Sequence, residues 1–210
     1  FDLTVDDGSG GVVTERFSLE VTNIPPELVL SGSEGPLDEG SAAAIAVEVT
    51  NVAEDDEYTY EWIQVSGTSS TLTGQSTPNL AVTLPRIAQE AETLVFNVSV
   101  SDGVDATVEE YTLTAVNIAP TTSVSLDQSS VQEGEPVAAT VTVTNAAVGE
   151  NYTYSWTQIS GTPASISGRA LTSATITTPK VSATETLRFD VIVSDGVVSV
   201  STPFSITVQN

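Results

Sequence analysis

The side chains that could do chemistry in this 210-residue chain are mostly carboxylates: 28 Asp and Glu against five Lys and Arg, with no His and no Cys. Without imidazole or thiol, Ser-His and Cys-His nucleophilic machinery is excluded, as are disulfides and zinc-cysteine sites. A pair of carboxylates could still cleave a glycosidic bond. Among so many, some pair always lies at a workable distance, and none stands in the apolar context that raises a carboxyl pKa, so a solvated surface is expected. The remaining chemistry is cation binding. Asp-Gly recurs at Asp7-Gly8, Asp102-Gly103 and Asp195-Gly196, and Glu-Gly at Glu39-Gly40 and, 94 residues on, Glu133-Gly134. Each dipeptide suits a turn in which Gly takes a positive φ and the carboxylate bonds nearby amides. The same oxygens, converging with amide and carbonyl oxygens, are what Ca2+ prefers. No EF-hand-like Asp-x-Asp-x-Asp-Gly loop is present.

The elements that must position these residues follow from a repeat. Tyr58-Thr-Tyr-Glu-Trp62-Ile-Gln64-Val-Ser66-Gly67 returns as Tyr152-Thr-Tyr-Ser-Trp156-Thr-Gln158-Ile-Ser160-Gly161. In a strand, alternate residues share a face, so Tyr, Tyr, Trp and Gln lie together. These are the only two Trp in the chain. A Trp on the inner face of a central strand is the usual nucleus of a small sandwich core, and 94 residues is a normal size for an immunoglobulin-like unit. Segments such as Ala44 to Val49 and Ala139 to Val143 are β-branched and alternating, and no segment keeps a helical period. The expected fold is therefore all-β, with almost no helix: tandem immunoglobulin-like sandwiches of about seven strands each. In the first unit they fall near 27–31, 42–50, 57–65, 69–73, 79–84, 93–101 and 107–116.

Residues 1–23 repeat the hairpin that closes each unit and read as the last two strands of a preceding, truncated repeat. Units follow at 24–117 and 118–210. Phe1 already sits inside a strand pattern, which fits a piece of something longer. The links Thr22-Asn23-Ile24-Pro25-Pro26 and Val116-Asn117-Ile118-Ala119-Pro120 are short and stiffened by proline. The turn between a unit's last two strands lies at the end that receives the preceding link. Asp102 is thus expected near Asn23 and the run Glu54-Asp55-Asp56-Glu57, and Asp195 near Asn117 and Glu39. The candidate Ca2+ ligands at the junctions are Glu39, Asn117 and Asp195, and Asn23, Asp102 and Asp55, with the turn-and-surface reading as the alternative.

A net charge of −23 repels polyanions, which makes nucleic acid and bare anionic membrane poor partners. No apolar run approaches the roughly 20 residues of a membrane span, so no direct membrane insertion is expected. Tyr58, Tyr60, Tyr152 and Tyr154 could stack on sugar rings if exposed; sharing the parity of Trp62 and Trp156, they are expected in the core. The sequons Asn97-Val-Ser99 and Asn151-Tyr-Thr153 matter only in a glycosylating pathway, with side chains facing solvent.

Tyr-x-Tyr-x-Trp-x-Gln-x-Ser-Gly is followed by Thr83-Leu84-Pro85 or Thr177-Thr178-Pro179, then by Leu-x-Phe-x-Val-x-Val-Ser-Asp-Gly and a closing Val-x-Asn. This pattern resembles the PKD-like repeats, in the variant of egg-jelly-receptor-type ectodomains, over essentially the whole chain. It lacks the Trp-Asp-Phe-Gly-Asp-Gly signature of standard PKD repeats. The resemblance implies a place in large bacterial secreted enzymes or surface adhesins, with a stalk, adhesive or carbohydrate-contacting role. The expected function is a non-catalytic structural or adhesive segment, extracellular or on the cell surface. Its partners would be neighbouring repeats of the same chain, other copies of the protein or a surface polysaccharide. A polysaccharide-binding module, or a filament subunit whose 1–23 hairpin completes a sheet in a neighbouring chain, are the alternatives.

Overall fold

The computed structural model describes residues 1–52, 56–145 and 149–210. Among the described residues there is no helix, and eighteen strands form five sheets. The first sheet is the hairpin of β1 (Asp2–Asp6) and β2 (Val12–Arg16), registered with Asp2 opposite Arg16 and Asp6 opposite Val12. Phe1 and Phe17 exchange backbone hydrogen bonds across it. The same cross-strand position is held by Phe96 and Tyr111 in the first unit and by Phe189 and Phe204 in the second. In the hairpin, Phe1, Leu3 and Val5 are exposed, whereas their counterparts Phe96, Val98 and Val100 are fully buried.

The first unit consists of β3 (Leu28–Gly32), β4 (Pro36–Asp38), β5 (Ala42–Val49), β6 (Thr59–Ser66), β7 (Thr71–Thr73), β8 (Asn79–Thr83), β9 (Ala91–Ser101) and β10 (Ala106–Val116). The second repeats it with β11 (Thr122–Leu126), β12 (Ser130–Gln132), β13 (Pro136–Val143), β14 (Thr153–Ser160), β15 (Ser165–Ser167), β16 (Ser173–Thr177), β17 (Glu185–Ser194) and β18 (Ser199–Gln209). Sheets β3-β5-β8-β7 and β4-β10-β9-β6 face each other in the first unit, and β11-β13-β16-β15 and β12-β18-β17-β14 in the second. The alternation of β5 buries Ala43, Ile45, Val47 and Val49 against Trp62, Phe96 and Leu113 from the opposite sheet. An equivalent core surrounds Trp156 and Phe189. The fold is thus the all-β, immunoglobulin-like one that the alternation predicts. Each unit also has an eighth short strand, β4 or β12, lying parallel to the last strand. Three residues beginning at Pro36 carry no period, and their pairing with Thr114–Val116 is not local, so the sequence contains no signal for it.

The recurring motif is explained residue by residue. Trp62 is fully buried and donates its Nε1–H to Thr77 O at 3.0 Å; Trp156 does the same to Leu171 O at 2.8 Å. Gln64 Oε1 accepts from Ser70 N at 2.8 Å while its Nε2 donates to Thr68 O at 2.8 Å, so one amide pins the loop that follows β6. Gln158 does the same with Ala164 N and Thr162 O. The register slips between Gln64 and Ser66 and the chain turns at Gly67, whose φ is +88°. A Cβ there would lie 2.6 Å from Leu94 Cδ2 and 2.9 Å from Thr93 O, which only glycine avoids. Glu92 then accepts from both Thr68 N and Thr68 Oγ1 at 2.8 Å, and Glu185 repeats the clasp on Thr162. The tyrosines of the motif are half-buried and pack on the two cores.

Candidate functional site

The Asp-Gly turns form as expected and leave one oxygen to spare. Asp102 Oδ1 accepts from Val104 N and Asp105 N, both at 2.8 Å, with Gly103 at φ +92°. Asp195 Oδ1 accepts from Val197 N at 2.8 Å and Val198 N at 2.7 Å, with Gly196 at φ +97°. Their second oxygens differ. Asp102 Oδ2 takes Asn23 Nδ2 at 3.0 Å, and the same amide donates to Asp105 Oδ2 at 2.8 Å. Asp195 is 2 % exposed, and its Oδ2 has no hydrogen-bond partner.

The Asp102 carboxyl is held below the usual carboxylate range by the backbone amide of Asp105 first, then by Asn23 and the Val104 amide. A depressed folded-state pKa contributes stability above the ordinary value near 3.8, and that contribution is lost as pH falls through the lower folded value. Asp102→Asn should therefore melt below the wild type at pH 6, and the gap should close between pH 4 and 2. A gap that persists unchanged at about pH 2 would assign it to shape rather than charge.

Glu39, just after β4, is the best-buried carboxylate of the first unit among the described residues, 2 % exposed. Its Oε2 accepts from Ile87 N at 3.0 Å, and its Oε1 from Asn117 Nδ2 at 2.9 Å and Ile118 N at 3.2 Å. The 94-residue recurrence of Glu-Gly has a local cause, because Glu133 Oε2 likewise accepts from Val181 N at 2.8 Å. Glu39 adds the grip on the link. The entry of each link is held by a second amide: Asn51 takes Glu27 N and donates to Pro25 O, and Asn145 takes Thr121 N and donates to Ala119 O.

Between the two sandwiches, Arg86 leaves the first unit and donates Nη2–H to the Asp195 carbonyl at 2.7 Å. Its Nε lies 2.5 Å from Glu150 Oε1. This is an ion pair without hydrogen-bond alignment, since both Glu150 oxygens lack a hydrogen-bond partner. The Glu150 side chain is only 3 % exposed. Asn117 Oδ1 is buried and unpartnered as well. Tyr152 lies in the same negative field: its phenol is pushed up by burial first, then by Glu150, Asp195 and Glu39. Arg86, Ile87, Ala88, Asp195, Gly196 and Val197 line a cleft of about 240 Å³ at this joint.

The structure thus joins Asn23 to Asp102 and Glu39 to Asn117, and brings Asp195 to the same joint through Arg86. Asp55, with Glu54, lies outside the described residues, and the neighbouring Asp56 is exposed and accepts from the Tyr58 hydroxyl at 3.1 Å. Among the described residues no three Asp or Glu close around one point. Sequence reasoning missed Glu150 and Arg86. The available signal was the 94-residue spacing of Asp56 from Glu150 and of Arg86 from Lys180. Asn97, in the first sequon, is half-buried on the face of β9 opposite Phe96 and Val98, whereas Asn151 is exposed.

No protein-family model matches the chain. It is 30% identical, over 216 residues, to a chitinase A of Pseudoalteromonas piscicida; the match covers all of this chain and about a quarter, 25%, of that relative's length. Among solved structures it is similar to the adhesin InvE of Yersinia pseudotuberculosis, at 13% identity over 87% of this chain and 59% of that one, with a TM-score of 0.39. It is also similar to the titin domains z1z2 in complex with telethonin, at 13% identity over 90% and 98% of the two chains, with a TM-score of 0.42. A third likeness is to extracellular cadherin domains 3–6 of protocadherin gamma B2, at 15% identity over 100% and 56%, with a TM-score of 0.39.

Proposed function

We propose that the chain is a non-catalytic spacer of PKD-like repeats within a larger secreted bacterial protein that acts on, or adheres to, polysaccharide. The observation that carries this reading is the joint itself. Glu39 of the first unit grips Asn117 and Ile118 of the link, and Arg86 reaches across to Asp195 and Glu150 of the second. A link held by Glu39 of the first unit and, at Ala119 O, by Asn145 of the second transmits orientation, which is what a spacer must do and a flexible tether does not. The chitinase relative supports a polysaccharide setting and an extracellular location. The carbohydrate-binding alternative is less favoured, because among the described residues the only exposed aromatics are Phe1 and Phe17 of the hairpin. Stacking on sugar rings needs an aromatic face in solvent.

Small-angle scattering on the 210-residue chain, with a parallel depletion assay on insoluble chitin, tests the reading. One fixed arrangement of the two sandwiches and no saturable depletion are expected. Scattering that demands an ensemble of bent poses, or saturable chitin binding lost on Phe17→Ala, would replace the spacer with a tether or a binding module.

A further inference from the structure

Four buried oxygens at the joint lack a hydrogen-bond partner. Glu39 spends both of its oxygens on amides, and by taking Asn117 Nδ2 it turns Asn117 Oδ1 away from itself, into a buried position with no donor. Asp195 spends Oδ1 on its own turn and is left with Oδ2 buried and unpartnered. Glu150, its side chain 3 % exposed, has no hydrogen bond to either oxygen. A buried carboxylate oxygen without a partner is costly, and native structures rarely leave one so. Here Asp195 Oδ2, Glu150 Oε2 and Asn117 Oδ1 do this within a single joint, while Glu150 Oε1 has only its ion pair with Arg86.

Arg86 does not account for them. Its Nη2 goes to the Asp195 carbonyl rather than the carboxylate, and its Nε meets Glu150 without alignment. The three carboxylates Glu39, Glu150 and Asp195 against one guanidinium leave a formal charge of two negative in a shielded place, which is the charge of one divalent cation. The donors are all hard oxygens, with no His or Cys in the chain, which selects Ca2+ over transition metals. The equivalent residues outside the joint behave differently: Asp102 is only half-buried and has its Oδ2 satisfied by Asn23, and Glu133 is half-buried.

The geometry points to a Ca2+ site at the joint, with Asp195 Oδ2, Glu150 and Asn117 Oδ1 as protein ligands and Glu39 as the positioning residue that presents Asn117. Water completes the six to eight oxygens that Ca2+ takes. The site rests on the reading of the joint as a rigid one and names what locks it. Its affinity should fall in the range of extracellular modules, on the order of 0.1–1 mM.

The test is calorimetric titration of the chelator-treated 210-residue chain with CaCl2, and separately with MgCl2, alongside thermal melts. One Ca2+ per chain and a rise in melting temperature of about 5 °C or more are expected, with a weaker response to Mg2+. Asp195→Asn and Glu150→Gln keep the shape and the turn-closing Oδ1, and each should weaken Ca2+ binding at least about tenfold. Unchanged near-ultraviolet circular dichroism would show that both variants fold. Arg86→Gln separates the site from a plain ion pair: removing the positive charge beside the ion should tighten Ca2+ binding about tenfold. Binding that survives both acidic substitutions would overturn the site as diffuse attraction to an acidic surface, and no binding up to 10 mM would overturn it outright. A joint that scatters as rigid but takes no Ca2+ leaves the spacer reading standing, and a flexible joint that takes Ca2+ at these residues does the reverse.

Discussion

Trp62→Ala should unfold the first sandwich while leaving the second intact. Trp62 is fully buried at the centre of a core that shares no member with the one around Trp156. Truncating a buried aromatic to Ala costs about 3–5 kcal/mol, from lost transfer energy and the cavity left behind. The variant also leaves Thr77 O without the indole donor it holds at 3.0 Å, which adds about 1 kcal/mol. Against a typical domain stability of roughly 5–15 kcal/mol, this removes most of what holds the unit folded. The measurement is direct, because the chain has two Trp and the variant keeps only Trp156. Its fluorescence should report a urea midpoint close to that of the wild-type second unit, while far-ultraviolet circular dichroism shows an earlier, separate transition. One coincident transition by both probes would mean that the joint makes the two sandwiches a single cooperative block.

Glu39→Ala should have the second-largest effect, and it should exceed that of Glu133→Ala. Removing the Glu39 carboxylate strands three donors, Ile87 N, Asn117 Nδ2 and Ile118 N. Deleting one partner of a buried, charge-assisted network costs about 3–5 kcal/mol. Glu133 holds only Val181 N and is half-buried, so its loss should cost about 1 kcal/mol. Because Asn117 and Ile118 belong to the link, Glu39→Ala should also release the orientation of the second sandwich, and scattering should register it. Equal destabilisation by the two variants would mean that the carboxylate serves only the loop after β8 or β16 and plays no part in the joint.

The contrast between these two glutamates shows where the sequence is informative. Both stand before a glycine at the same phase of the repeat, and both latch the same loop, at Ile87 N and Val181 N. That latch is a property of one unit and is legible as a 94-residue recurrence. What sets Glu39 apart is Asn117, 78 positions away, and no local pattern carries that contact. The same holds for Arg86, which meets Asp195 across 109 positions. Glu150 reads as an ordinary acidic loop residue until the first unit is placed beside it. The turn function of Asp102 and Asp195 was legible, whereas the burial of one second oxygen and the satisfaction of the other were not.

By itself, the sequence determined the all-β class, the two-fold repeat, the inward face of each strand and the turn chemistry of the Asp-Gly pairs. These follow from parity and from backbone preferences, which act between residues close in the chain. Only the tertiary structure decided the parallel pairing of β4 and β12, the grip of Glu39 on the link and the meeting of Arg86, Glu150, Asp195 and Asn117. Burial and charge pairing at a joint depend on which surfaces face one another, and that is settled only when two finished cores come together.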